Sequence, residues 1–326
     1  MRCIGMILIG ACCVCAQEGR HVPGGAACLQ RYRTVMAQAA NRGFAEAATE
    51  LLAAANGNDR TELSCTGLVL TDMASRAAVS GWLADAATLA ERALRLLEHE
   101  YPPDDPVLLR PLHVLAASRF GNGETARARE AFQRMQLIRI ERPEDRVLVH
   151  DVGAWLLENE GRYREAESEY AGALYELERA GLGNTMDAGA IFNALGSLFI
   201  KEHRLDDASR ALDRAVAIST SATDAVPVDR MKTLHIRGVL HTRQREWAQA
   251  ERDMRDALSI ADGEPRPDPV ALASLLIDYA QVLRRNHHSR EARSIEVRAA
   301  GLHGSFATNA VVDVTELAGS PRPVKR

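Results

Sequence analysis

The chain has 326 residues, a net charge of −4 and 46% hydrophobic residues, of which few are aromatic (5% of the chain). The charge, spread along the chain, gives none of the basic footprint that nucleic acid requires. The length permits one to three domains with a sizeable core, and an alanine-rich, aromatic-poor composition favours closely packed helices. Basic residues are almost all arginine, with lysine only at 201, 232 and 325.

The chain opens MRCIGMILIGACCVCAQEGR. Arg2 precedes an apolar run, Cys3 to Val14, too short to span a bilayer. Val14-Cys15-Ala16 then places small residues at −3 and −1 of a cleavage point, so residues 1–16 resemble a secretory signal peptide. Ile9-Gly10-Ala11-Cys12 also resembles a bacterial lipobox, which would put a lipid anchor on Cys12. Either route implies export, to the periplasm or beyond the cell, with or without membrane anchoring. Four of six cysteines fall in this segment, and Cys28 and Cys65 remain. An even pair in an exported chain is expected to form a disulfide, the alternative being two separate buried thiols.

In chain order the dominant signal is an internal repeat. Alanines recur at Ala47, Ala86, Ala128, Ala166, Ala208, Ala250 and Ala292, the last four at intervals of 42 residues. Seven residues after each anchor stand Ala54, Ala93, Met135, Ala173, Ala215, Ala257 and Ala299. Four after it stand Leu51, Ala90, Phe132, Tyr170, Leu212, Met254 and Glu296. Three before it stand Phe44, Leu83, Thr125, Tyr163, Leu205, Trp247 and Ser289. Twelve before it the residue is Val35 and then small in every unit: Ala74, Ala116, Ala154, Gly196, Gly238 and Ala280.

Offsets 0, +4 and +7 share one face of a helix. Small residues at 0 and +7 admit a partner helix, and the large residue at +4 fills the gap. The small residue at −12 belongs to a preceding helix that meets it. Between the two lies a turn, clearest at Gly81, Gly123 and Gly161. Each unit is thus predicted to be a helical hairpin of about 42 residues that completes its core only by stacking on its neighbours. Breakers such as YPPDDP (101–106), ERPED (141–145), GLGNT (181–185) and GEPRPDP (263–269) separate the units. Fourteen helices are predicted, starting near 26, 44, 62, 83, 106, 124, 144, 163, 185, 205, 226, 247, 268 and 289. After 302 the period is lost, and residues 303–326 are expected to form a flexible tail.

This pattern of small −12, aromatic or Leu −3, Ala 0, large +4 and Ala +7 resembles the tetratricopeptide repeat. The 42-residue period resembles its kinesin-light-chain subtype. The resemblance covers roughly residues 30–302 and is strongest at the anchors 166, 208 and 250. It implies an all-α fold, a right-handed α-solenoid of about seven antiparallel hairpins over 26–302. In the last unit Ser289 and Glu296 stand at apolar positions, as suits a terminal cap. Cys28 and Cys65 then begin the first and third helices, on one side of the stack, where a bridge would pin the first repeat and stabilise by up to roughly 4 kcal/mol.

No nucleophile elbow, P-loop, HExxH or mature C-x-x-C is present. His287-His288 sits at a turn, and His235 and His241 lie off one helical face. The expectation is a chain without catalytic or metal site, needing no cofactor, that binds a protein or peptide. The resemblance implies that offsets −15, −11, −8 and −7 line a concave groove. That places Asp151, Asn193 and His235 there, and gathers Lys201, Arg243, Arg284 and Arg285 into a basic strip suited to an acidic peptide. A solvated charged face is the plainer reading of that strip. The alternatives are a lipid-anchored envelope-assembly subunit and an enzyme with an unrecognised site.

Overall fold

The computed structural model describes residues 30, 33–35, 43–54, 60–222, 227–264 and 267–303. The expected signal segment 1–16, Cys12, Cys28 and the tail from 304 lie outside them. Among the described residues the chain is helical, with no strand. In order come α1 (Phe44–Ala54), α2 (Arg60–Val79), α3 (Leu83–Glu100) and a single 3-10 turn (Pro106–Leu108) that leads into α4 (Leu109–Gly121). Then follow α5 (Thr125–Gln136), α6 (Pro143–Asn159), α7 (Tyr163–Arg179), α8 (Met186–Lys201) and α9 (Leu205–Ser221). The last four are α10 (Pro227–Gln244), α11 (Trp247–Gly263), α12 (Pro269–Arg285) and α13 (Ser289–His303). From α1 onward every start lies within about three residues of the period-based expectation, an ordinary margin for helix ends, while the start expected near 26 lies outside the described residues.

Consecutive helices pair as α2/α3, α4/α5, α6/α7, α8/α9, α10/α11 and α12/α13, and each pair packs on the next. The first helix of a pair is called A here and the second B; α1 is the B helix of the first unit. All seven anchor alanines are buried, as are Met135 and the alanines at +7 from Ala93 to Ala299. The reason is visible at Gly196 and Gly238. A Cβ at Gly196 would come within 2.6 Å of Leu212 Cγ, and one at Gly238 within 2.8 Å of Met254 Cγ. The −12 residue of helix A therefore meets the +4 residue of helix B, and only a small side chain leaves room. Tyr170, Leu212 and Met254 at +4 are fully buried. Phe132 and Glu296 are only partly buried.

The A–B turns share one geometry. The residue five before each anchor is left-handed at Gly81, Gly123, Gly161, His203, Arg245 and His287 (φ 81°, 79°, 76°, 60°, 63° and 64°). The next residue's N–H closes back to the carbonyl five before it, as in Arg162 to Leu157 (2.9 Å) and Glu246 to His241 (2.8 Å). This is the Schellman termination of helix A. Glycine reaches that conformation without strain, whereas His203, Arg245 and His287 are held there by the hairpin. At the other rim, prolines start α6, α10, α12 and the 3-10 turn ahead of α4. Asp105 accepts from Val107 N–H (2.8 Å) ahead of α4, which explains the 3-10 turn there. Asp268 caps α12 through Val270 N–H (2.9 Å) and Ala271 N–H (3.1 Å).

The core forms two clusters, one from Val35 to Val114 and one from Leu94 to Ala299, which meet around α3 and α4. Cys65, in the second turn of α2, is buried and disulfide-bonded. Its expected partner Cys28 lies outside the described residues. No helix among the described residues is long and apolar enough to cross a membrane.

Candidate functional site: the inner face of the A helices

Successive A helices lie side by side, and the −15 positions fall between them. Their side chains are engaged there rather than open. His113 Nε2 meets Asp151 Oδ2 at 3.1 Å, from α4 to α6, with both residues buried. Asn193 Nδ2 donates to Thr233 Oγ1 at 2.8 Å, from α8 to α10. His235 Nε2 meets Asp278 Oδ2 at 2.9 Å, from α10 to α12. The expectation that Asp151, Asn193 and His235 line an open groove is therefore corrected. Each is buried, because a neighbouring A helix covers it. Their role in the structure is to join one unit to the next.

Burial sets the charge state of the first pair. Removal from water pushes the His113 imidazolium down to about 3, and the nearby Arg110 charge acts in the same direction. Burial raises Asp151 well above the usual carboxylate range, and the Asp187 charge adds to it. Both shifts favour an uncharged His113–Asp151 couple.

Trp155, at −11 in α6, is buried beside this pair. Its ring lies 5.6 Å from that of His113 and 6.4 Å, stacked, from that of Phe120. Trp155 Nε1, Asp151 Oδ1, Asn193 Oδ1 and Ser197 Oγ have no hydrogen-bond partner. The middle of the solenoid thus has spare polar capacity along its A helices. Trp155 and Ser197 share the offset −11, a periodic signal in the sequence that could have marked both.

The basic strip divides by offset. Two side chains at −8, Glu158 and Arg284, turn back onto the +4 position of their own hairpin. Glu158 accepts from Tyr170 Oη at 3.2 Å, and Arg284 forks onto Glu296 with two bonds of 2.7 Å. Arg284 is thus exposed but ion-paired within its own hairpin. Side chains at −7 stand at the exposed ends of the A helices: Lys201, Arg243 and Arg285. Lys201 is ion-paired with Glu158 of the preceding unit. Arg285 lies over the Trp247 ring, 5.8 Å from its centroid. Arg243 and Arg285 have no carboxylate partner among the described residues.

Other histidines meet carboxylates, and His241 also has Asp253 3.6 Å from its Nε2. His241 meets Glu246 at 2.8 Å, and His288 meets Glu251 at 3.2 Å. His287 takes the left-handed turn position. Among the described residues no group of three or more His, Cys, Asp or Glu is placed to hold a metal ion.

The stacked hairpins and their Ala-to-large-residue packing decide the fold. The chain is a tetratricopeptide-like α-solenoid. BtubC (BKLC) from P. vanneervenii matches it in structure with a TM-score of 0.53 and 23% identity, over 72% of this chain and 95% of that one. A Podosopora anserina chain of nearly identical TPR-like repeats, described as a putative kinesin light chain, gives a TM-score of 0.37 and 14% identity, over 73% of this chain and 94% of its own. No protein-family description and no curated protein matches the sequence.

Proposed function

We propose that this chain is an exported, non-catalytic scaffold that binds a protein or peptide along the inner, A-helix face of its solenoid. The observation that carries the reading is the pair Arg243 and Arg285. They repeat at one offset on successive units, they are exposed, and the fold uses neither against a carboxylate. Two guanidinium groups so placed suit a partner segment bearing carboxylates, since each can make forked, charge-assisted bonds. Lys201 extends the same row once Glu158 releases it. Solenoids offer such surfaces over several units at once.

Export is supported by the N-terminal pattern and by the disulfide at Cys65, a bond that persists in oxidising compartments. We assign its partner as Cys28. The mass of the purified N-terminus separates the two export routes: a start at Gln17 marks simple cleavage, and an acylated Cys12 marks a lipid-anchored envelope subunit.

The binding reading is tested by capturing partners from the native envelope fraction with tagged mature protein, wild type against R243E/R285E. A partner held by the wild type and lost by the double variant supports the inner-face site. Equal capture by both moves the site to the outer face. Turnover on a broad substrate panel by the purified chain would overturn the non-catalytic reading.

A further inference from the structure

The A–B turns lie along one rim of the ribbon of hairpins, and the linkers between units lie along the other. A contact between a turn and a linker of distant units therefore means that the ribbon has completed one superhelical turn. The chain makes such a contact. Lys232, in the second turn of α10, donates from Nζ to the Val79 carbonyl at 3.3 Å. Val79 is the last residue of α2, where helix carbonyls lack internal partners and the helix dipole favours a cation. Beside it, Gly81 lies directly against the Asp268 carboxylate, which caps α12. A Cβ at Gly81 would overlap that carboxylate, whereas Gly123 and Gly161, at the same turn position, have open space around them. The junction also encloses a cavity of about 70 Å³, walled by Ser80 on one side and Val228, Met231, Glu264, Pro267 and Leu272 on the other.

We propose that the turn at 79–82 is a reversible latch, seated on the start of α10 and the cap of α12, that holds the superhelix closed. Its composition gives the reversibility. Among the described residues one hydrogen bond and one backbone–carboxylate contact beside a small cleft stand where neighbouring units have interdigitated apolar packing. Contacts of that kind open at a small fraction of the cost of global unfolding. Latched, the second unit closes against the sixth and seventh, and the inner face is enclosed on that side. Unlatched, the ribbon is free to extend while every hairpin stays intact. Trp82, 43% exposed, and Val270, exposed beside Asp268, flank the junction.

The test uses the full chain, with spin labels attached to azide-bearing residues at the exposed positions 88 and 281, and compares Gly81→Val, Lys232→Ala and Gly161→Val. Gly161→Val imposes the same left-handed strain where nothing is adjacent, and Lys232→Ala imposes none. The latched chain is expected to give a short distance distribution. Gly81→Val and Lys232→Ala shift it to longer, broader distances and raise the radius of gyration, while Gly161→Val leaves both at wild-type values. Unchanged distances and radius in Lys232→Ala, together with the same response from Gly81→Val and Gly161→Val, overturn the latch. If Gly81→Val loses helical signal, Lys232→Ala alone decides.

Discussion

Gly196 in α8 and Leu212 in α9 fit together so closely that an added Cβ would stand 2.6 Å from Leu212 Cγ. The pair is the keystone of its hairpin, a small residue on helix A accepting a large one from helix B. Gly196→Val is expected to destabilise the protein by about 1–3 kcal/mol through overpacking. Leu212→Ala is expected to cost about 2–5 kcal/mol by leaving a cavity. In the double variant G196A/L212A the new methyl enters the vacated space, so its loss should be smaller than the sum of the two single alanine variants. Urea denaturation of these proteins measures this, and strict additivity would count against the contact.

The three non-glycine residues in left-handed turns hold strain that glycine would relieve. His203→Gly, Arg245→Gly and His287→Gly are each expected to stabilise by roughly 0.5–1 kcal/mol. Gly123→Ala and Gly161→Ala should lose a similar amount, although both have open space around them. Thermal denaturation midpoints rank the five variants, and glycine variants melting below the wild type would contradict the strain argument.

The His113–Asp151 couple predicts two opposing pH dependences. The folded His113 titrates near 3, below its unfolded value of 6.5, so its contribution is full above 6.5 and is lost as pH falls from there toward 3. The folded Asp151 titrates well above its unfolded 3.8, so its contribution is full below 3.8 and is lost as pH rises through its folded value. Above 3.8 the Asp151 slope runs downward with pH, at up to about 1.4 kcal/mol per pH unit, until its raised folded value is passed, and below 6.5 the His113 slope opposes it. Asp151→Asn removes that decline. Its stability relative to wild type should therefore rise as pH increases from about 3.8, read from urea midpoints, and a pH-independent difference would refute the assignment.

Cys65, in the second turn of α2, is disulfide-bonded, with Cys28 the partner proposed above. Cys65→Ser, or reduction of the wild type, is expected to cost about 2–4 kcal/mol. Amide hydrogen exchange should accelerate first in α1 and α2, because a solenoid loses order from its ends. Equal acceleration through α6 to α9 would show instead that the bond supports the whole array.

Charge reversal at Arg243 and Arg285 should leave stability within about 0.5 kcal/mol of wild type, as for other exposed side chains without ion pairs. Arg284→Glu should cost more, because it sets the introduced carboxylate face to face with that of Glu296. Melting curves of the three variants make that separation, and equal losses would return Arg284 to the same row as its neighbours.

The sequence by itself determined the helices, their turns and the packing rule. Ala166, Tyr170 and Gly196 could be assigned because helical periodicity fixes which side chains share a face, and a 42-residue repeat shows which face recurs. The same reasoning failed for Asp151, Asn193 and His235. Their offset gives their direction on the A helix, but whether that direction meets solvent or a neighbour depends on the angle between successive hairpins. That angle is summed from many long-range contacts and leaves no periodic mark. It also decides that Val79 and Gly81 arrive beside Lys232 and Asp268 after one superhelical turn. Local spacing sets the hairpin; only the accumulated rotation of stacked hairpins sets which surfaces are left to bind.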